Sequence, residues 1–364
     1  MHGLCKGLAA RGHDVEVFTT NVDGPGNSDV PLGVPVELEG VKVWYFPVPI
    51  LRRLYWSPRM REALWQRVGI FDVVHTHSVF LWPTWAAARV AQHRRIPYVL
   101  APRGMLVQDL IRRKHGWVKR LWIALIERRN LANAALIHFT SRLEAEEAAK
   151  LGLSMRKSCI VPNGLDMPGL DSRCNGNLSA SVTAGEKPFL LFVGRINWKK
   201  GLDRLIAALP GIADCRLVVA GNDEERYTPE LEALAVKLGV RERISFVGPV
   251  YGEDKAELFR RALLLVLPSY SENFGNVVLE AMAAGCPVAV TPEVGAADIV
   301  RESGAGAVLD GDPATLSAGI CTLIADPMAL KRMGVKGREF VSQHYTWEAI
   351  SLQMEAAYRQ AIAG

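Results

Sequence analysis

The chain has 364 residues, 49% of them hydrophobic and 22% charged, with 32 glycines and 20 prolines. That length and composition predict about two ordinary globular domains, and they exclude a single small binding module, a collagen-like or disordered chain and a disulfide scaffold. Residues 1–170 carry 23 Lys/Arg against 14 Asp/Glu and residues 171–364 carry 20 against 24, so the amino-terminal half is the one suited to an anionic partner.

In chain order, Gly3 to Ala10 reads as a helix that runs through Gly12-His13-Asp14 into a strand. A doubly wound domain normally opens with the strand that such a helix follows, so a first strand and its loop are expected before Met1. Met1 to Arg11 has Lys6 inside the helical pattern and no long apolar run, which predicts a cytoplasmic protein rather than a secreted one. Short β-branched runs then alternate with helical patterns, the signature of parallel sheets covered by helices. The strands expected are Val15 to Thr19, Val41 to Phe46, Val73 to Thr76, Tyr98 to Ala101, Leu136 to Phe139 and Cys159 to Val161. After a break come Phe189 to Val193, Arg216 to Ala220, Ile244 to Val247, Leu263 to Leu267 and Val288 to Val290.

The stretch 168–187, rich in Gly, Ser, Asn and Ala without a period, reads as a linker. The organisation expected is therefore a Rossmann-like domain over 1–167, that linker, a second domain over 188–345, and a last helix over 346–364 that packs back on the first domain. The longest apolar candidate for a membrane span, Ala262 to Leu267, ends at Pro268, far short of the roughly 18 to 20 residues required. Six scattered cysteines (Cys5, Cys159, Cys174, Cys215, Cys286 and Cys321) form no CxxC pair and read as reduced thiols.

The motif that carries most chemistry is Ser271-Glu272-Asn273-Phe274-Gly275-Asn276-Val277-Val278-Leu279-Glu280, placed between a buried strand and a helix. Strand, polar glycine loop and helix start together aim backbone N–H groups and the helix dipole at an anion, so a phosphate is expected on residues 274–277. The acceptor-only carboxylates of Glu272 and Glu280 suit ribose and sugar hydroxyls beside it. Upstream, Gly194 allows a tight turn after a strand, and Arg195 and Lys200 project two cations suited to a diphosphate. His75 and His77 alternate on one strand face without a third ligand in view, so a metal site is not expected there. Asp310-Gly311-Asp312 runs into Pro313 and reads as a helix cap, not as a metal motif. Two basic stretches, 50–67 with Arg52, Arg53, Arg59, Arg61 and Arg67 among Tyr55, Trp56 and Trp65, and 111–130 with Trp117, Val118, Leu121, Trp122, Leu125 and Ile126 at helical spacing, suit the headgroup layer of an anionic membrane, unless these apolar faces pack on the sheet and leave the cations in water. No nucleic-acid-reading module accompanies them, and no GxGxxG follows a strand.

The strings LFVGRINWKKGLDRLI, VLPSYSENFGNVVLEAMAAGCPVAV and IVPNGLD, with RGHDV and FDVVHTH nearer the start, resemble family 4 of the retaining glycosyltransferases over nearly the whole chain. The resemblance implies a GT-B fold of two Rossmann-like domains facing a cleft and transfer from a nucleotide diphosphate sugar without a required metal or other cofactor. It implies Arg195 and Lys200 on the donor diphosphate, Glu272 on the transferred sugar, Glu280 on the ribose, and Gly194, Phe274, Gly275, Asn276 and Val277 around the phosphates. His77 and Arg103 fall to the acceptor or sugar side, Arg103 standing where many relatives have a histidine. The acceptor expected is a lipid-linked glycan in surface polysaccharide synthesis, reached through peripheral contact with the inner face of the cytoplasmic membrane. A strand and glycine-rich loop that open the family would lie before Met1, which leaves a non-catalytic nucleotide-sugar-binding protein as an alternative. A GT-B sugar-nucleotide epimerase is disfavoured by the lack of acid/base carboxylates in the first half.

Overall fold

The computed structural model describes residues 1–108, 111, 116–167 and 188–364. The expected linker at 168–187 lies outside the described residues, as does Cys174. The chain divides into two compact units, Met1–Gly164 with Trp347–Gly364, and Leu165–Thr346. The second unit thus begins at Leu165 rather than at 188. Residues 165–167 go with it because the Leu165 N–H donates to the Tyr345 carbonyl at 2.9 Å and Leu165 bridges Thr346 in parallel.

In the first unit the strands are β1 (Val15–Thr20), β2 (Val22–Asp23), β3 (Gly26–Asn27), β4 (Pro35–Leu38), β5 (Val41–Phe46), β6 (Val74–His77), β7 (Tyr98–Ala101), β8 (Leu136–Phe139) and β9 (Ser158–Ile160). They form a sheet β1-β5-β4, a second sheet β6-β7-β8-β9 and a β2-β3 hairpin. All pairs of the second sheet are parallel, and β1 runs parallel to β5 in the register Val15 to Val41. The antiparallel β4 departs from the all-parallel expectation. Glu39 and Gly40 both take positive φ, 49° and 82°, which is the two-residue turn whose twist matches a hairpin, so Leu38 faces Val41 across the turn.

The first helix (His2–Ala10) and the last (Trp347–Ala363) pack together within this unit. The contact is set by glycine: a Cβ on Gly3 would lie 2.1 Å from the Trp347 indole, and one on Gly7 would lie 2.2 Å from Ser351 Oγ. On the other side of the first helix Leu4 and Leu8 are buried.

The second unit holds one parallel sheet of β10 (Phe189–Val193), β11 (Arg216–Ala220), β12 (Ile244–Gly248), β13 (Leu264–Leu267), β14 (Val288–Val290) and β15 (Gly306–Val308) in the order β12-β11-β10-β13-β14-β15. Phe189 to Val193 and Leu264 to Leu267 are buried throughout, the unbroken apolar reading of strands covered on both faces. From β10 the chain winds outward to β12, then crosses back to β13 and winds the other way, so the order reverses between β10 and β13. In open α/β sheets that reversal is where ligands bind. Asp312 accepts from the Thr315 N–H at 3.1 Å with Pro313 in the first helical turn, confirming Asp310–Asp312 as a cap. Among the described residues no single helix is long and apolar enough to cross a membrane, and the five described cysteines are free.

Candidate active site

The loops that leave β10 and β13 are laced together at the reversal point. After β10, Gly194 donates to the Ala220 carbonyl at 2.9 Å and Ile196 to the Asn222 carbonyl at 2.8 Å. Residues Trp198–Lys200 form one 3-10 turn closed by Gly201 at φ 64°. A Cβ on Gly201 would fall 2.0 Å from the Pro268 carbonyl oxygen, so glycine is needed there for space as well as for backbone conformation. The Lys199 carbonyl accepts from the Tyr270 N–H at 2.7 Å, the Tyr270 hydroxyl donates to Asp203 at 2.8 Å, and the Arg204 guanidinium stacks 3.6 Å from the Tyr270 ring centre.

This lacing joins Lys200 to Glu272, whose side chains form an ion pair with both partners mostly buried. Glu272 is held by its backbone, donating to the Glu293 carbonyl at 3.0 Å and accepting from Gly295 at 2.9 Å. Phe274 is buried and its carbonyl accepts from the Ala296 N–H at 2.7 Å. Gly275, at φ 92°, caps the helix Asn276–Ala283, so the backbone at Gly275, Asn276 and Val277 forms the helix start where an anion is stabilised. Arg195 is exposed at the end of β10. The second unit thus brings together Gly194, Arg195, Lys200, Glu272, Phe274, Gly275, Asn276 and Val277 on two adjacent loops. Glu280, one turn into the helix, pairs with Lys255 at 2.5 Å. Sequence reasoning missed Lys255, because nothing in the amphipathic helix Gly252–Arg261 distinguishes it from a solvated lysine.

His77 and Arg103 meet in the first unit. Arg103 Nε lies 3.1 Å from His77 Nδ1 and another guanidinium nitrogen 2.8 Å from Asn163 Oδ1. Arg103 sits at φ 56° and Gly104 at φ 73°, a kink clamped by the buried Glu144, which accepts from the Gly104 N–H at 2.5 Å and the Thr140 N–H at 2.7 Å. Beside them runs a chain the sequence did not reveal. His138 Nε2 stands 2.8 Å from the Val161 carbonyl and must donate to it. Its Nδ1 therefore accepts from His75 Nε2 at 3.3 Å, and His75 Nδ1 accepts from the Tyr358 hydroxyl at 2.8 Å. His138 stands alone among the apolar Leu136, Ile137 and Phe139 of its strand, so no local pattern pairs it with His75. Burial holds all three histidines neutral: His75 and His77 fall well below the usual range and His138 drops to about 4, with Arg103 nearby adding to burial in each. Among the described residues no group of His, Cys, Asp or Glu is arranged to hold a metal ion.

Comparison with known proteins decides the family. Residues 1–164 match the glycosyl transferase 4-like domain and residues 177–340 match the glycosyl transferases of group 1. A D-inositol 3-phosphate glycosyltransferase of Xylanimonas cellulosilytica is 30% identical over 380 residues, covering 98% of this chain and 90% of that protein. The chain belongs to this glycosyltransferase family. An uncharacterised glycosyltransferase of Methanocaldococcus jannaschii is 28% identical over 99% of this chain and 93% of its own length. Among solved structures, sucrose-phosphate synthase from Thermosynechococcus elongatus superimposes with a TM-score of 0.77 at 26% identity, covering 99% of this chain and 92% of that one. Anabaena HepE, solved with UDP and glucose, gives 0.72 at 19% identity over 95% and 99%. The fold of this glycosyltransferase is GT-B, two Rossmann-like units.

Proposed function

We propose that this glycosyltransferase moves a hexosyl group, with retention of configuration, from a nucleoside diphosphate sugar to a lipid-linked glycan in surface polysaccharide synthesis. The observation that carries the reading is the pair of laced loops at the sheet reversal, which set the Lys200–Glu272 pair beside a helix start. The inositol phosphate substrate named for one relative and the UDP and glucose bound to HepE support a sugar nucleotide and a hydroxyl acceptor.

Arg195, Lys200 and the amides of 274–277 would hold the diphosphate, Glu272 the sugar and Glu280 the ribose. As the sugar–phosphate bond breaks, charge grows on the departing diphosphate. Donors fixed around it stabilise that charge more than the ground state. The acceptor oxygen then bonds the anomeric carbon on the same face, and its proton passes to the leaving phosphate. His77 presents a neutral Nε2–H, because Arg103 occupies its Nδ1, and that group would donate to a sugar or acceptor hydroxyl.

Membrane contact belongs to this reading. Trp117, Leu121 and Leu125 are 74%, 52% and 70% exposed on successive turns, so this apolar face does not pack on the sheet. Lys119 and Arg120 flank it. The stretch 50–67 supports the reading less. Arg67 pairs with Glu16 at 2.7 Å, Arg52 binds Asn27 at 2.6 Å, and Trp56 stacks edge-on against Trp82. Incubation with a panel of nucleoside diphosphate sugars, with and without a polyprenyl-linked glycan, tests the proposal. Acceptor-dependent release of the nucleoside diphosphate with an axial product linkage from an axial donor is expected, and inverted linkage or no release contradicts it.

A further inference from the structure

The turns that leave β6 and β7 carry His77 and Arg103, and both are strained. Just after β6, Ser78 and Phe80 take φ of 77° and 63°, and just after β7, Arg103 takes 56° and Gly104 73°. Side chains rarely adopt these values and keep them only where the surroundings enforce them, which happens most often at functional sites.

Each turn is held by one buried carboxylate. Glu127 Oε1 accepts from the Phe80 N–H at 2.9 Å and from the Trp122 indole N–H at 2.8 Å, while Asn130 Nδ2 donates to Oε2 at 3.4 Å. Glu127 ends a π turn, Ile123–Glu127, a break in helical regularity that is frequent at functional sites. Glu144 Oε1 accepts from the Gly104 N–H at 2.5 Å, and its Oε2 accepts from the Thr140 N–H at 2.7 Å and the Thr140 hydroxyl at 2.8 Å. The Ser78 N–H donates to the Ala101 carbonyl at 2.8 Å, which ties one turn to the other. Among the described residues neither carboxylate forms an ion pair. Burying a carboxylate outside an ion pair is costly, and in both places it secures a backbone N–H of the turn that follows His77 or contains Arg103.

We propose that Glu127 and Glu144 are positioning residues, which fix the turns after β6 and β7 so that Arg103 stays hydrogen-bonded to His77 Nδ1 and the His77 Nε2–H stays free to donate. The inference rests on the reading above, in which that N–H meets a sugar or acceptor hydroxyl. Both carboxylates act through the place of their oxygens rather than through their charge, and conservative variants separate the two.

Nitrogen NMR of histidine-labelled protein tests it, with the His77 signal assigned by its loss in His77→Gln. In the parent, His77 is expected to be protonated at Nε2 alone and to titrate well below the usual histidine range, because burial and Arg103 both disfavour its charge. Glu127→Gln keeps an oxygen for Phe80 and Trp122 and should match the parent. Glu127→Asp keeps the charge but draws the acceptor back by one methylene, and Glu144→Gln leaves Gly104 or Thr140 facing an amide N–H. Each of these two should release Nδ1 from Arg103, giving a mixture of both tautomers and a His77 midpoint higher by about one pH unit or more. The His138 signal, anchored by the Val161 carbonyl, should stay in place. The reverse order at position 127, with Asp like the parent and Gln shifted, assigns the role to charge and overturns the proposal. So does a His77 signal that none of the variants moves, or one that moves only together with that of His138. No substrate enters the measurement, so failure of the positioning is read apart from failure of the reaction, which shows as a parent protein that transfers no sugar.

Discussion

Glu280 and Lys255 separate a binding role from a structural one at the level of single side chains. Their bridge is about a third exposed on the carboxylate side, where such pairs contribute about 1 kcal/mol or less. Lys255→Ala should therefore change donor affinity by less than about fivefold. Glu280→Ala removes the proposed charged hydrogen bonds to ribose and should weaken binding tenfold or more, at about 1.5 to 3 kcal/mol. Calorimetry with the preferred nucleoside diphosphate reads both, and equal effects would place Glu280 outside the ribose site. The placing of Arg195 and Lys200 on the loop after β10 was legible from the sequence, because Gly194 follows a wholly apolar run, whereas the contacts of Lys255 and His138 were not. Their partners lie 25 and 63 residues away, and no local pattern announces a pairing of that range.

Among the elements, the contact between the first and last helices depends on bare glycine faces. Gly7→Ala should destabilise the first unit by about 1 to 3 kcal/mol, because its Cβ would meet Ser351 Oγ at 2.2 Å and the Trp347 carbonyl at 3.0 Å. Ser351→Gly in the same chain should restore part of the loss, since Ser351 Oγ is buried without a hydrogen-bond partner and gives up little on removal. Thermal unfolding of the single and double variants measures this. The histidine chain makes a pH prediction. His75, His77 and His138 have folded values depressed below the unfolded 6.5, so the unfolded chain binds more protons in that window. Stability is full above pH 6.5 and falls as pH drops from there toward about 4, the folded value of His138. Urea unfolding of His138→Asn should show a shallower fall, by up to about 1.4 kcal/mol per pH unit, and an unchanged slope would mean that His138 is charged in the folded state. Most strands of the three larger sheets were readable from their β-branched runs, while the β2-β3 hairpin was not. β15, only three residues long, and β4, set by its Glu39-Gly40 turn, were not, because short strands take their identity from the neighbour they pair with.

For the whole molecule, charge and exposed apolar surface coincide in the first unit. Sedimentation with anionic vesicles should show binding at low salt that weakens as salt rises. Trp117→Ser with Leu125→Ser should abolish it without loss of fold, since both side chains are largely exposed. Equal binding to neutral vesicles would contradict an electrostatic contribution. Two units were expected from the sequence, but a boundary at Leu165 was not. Leu165 to Met167 join the second unit through Tyr345 and its core, contacts that only the fold brings within reach.

Diphosphate binding by the loops after β10 and β13 would be seen in thermal unfolding with UDP, GDP, ADP, CDP and TDP. At a hundred times its dissociation constant, a ligand of the folded state stabilises by about 2.7 kcal/mol. At least one of the five nucleotides should raise the midpoint of the parent protein, and Lys200→Ala should lose that shift while unfolding normally in its absence. A parent that responds to none of them, or a Lys200→Ala protein that responds as fully as the parent, would contradict diphosphate binding at these loops.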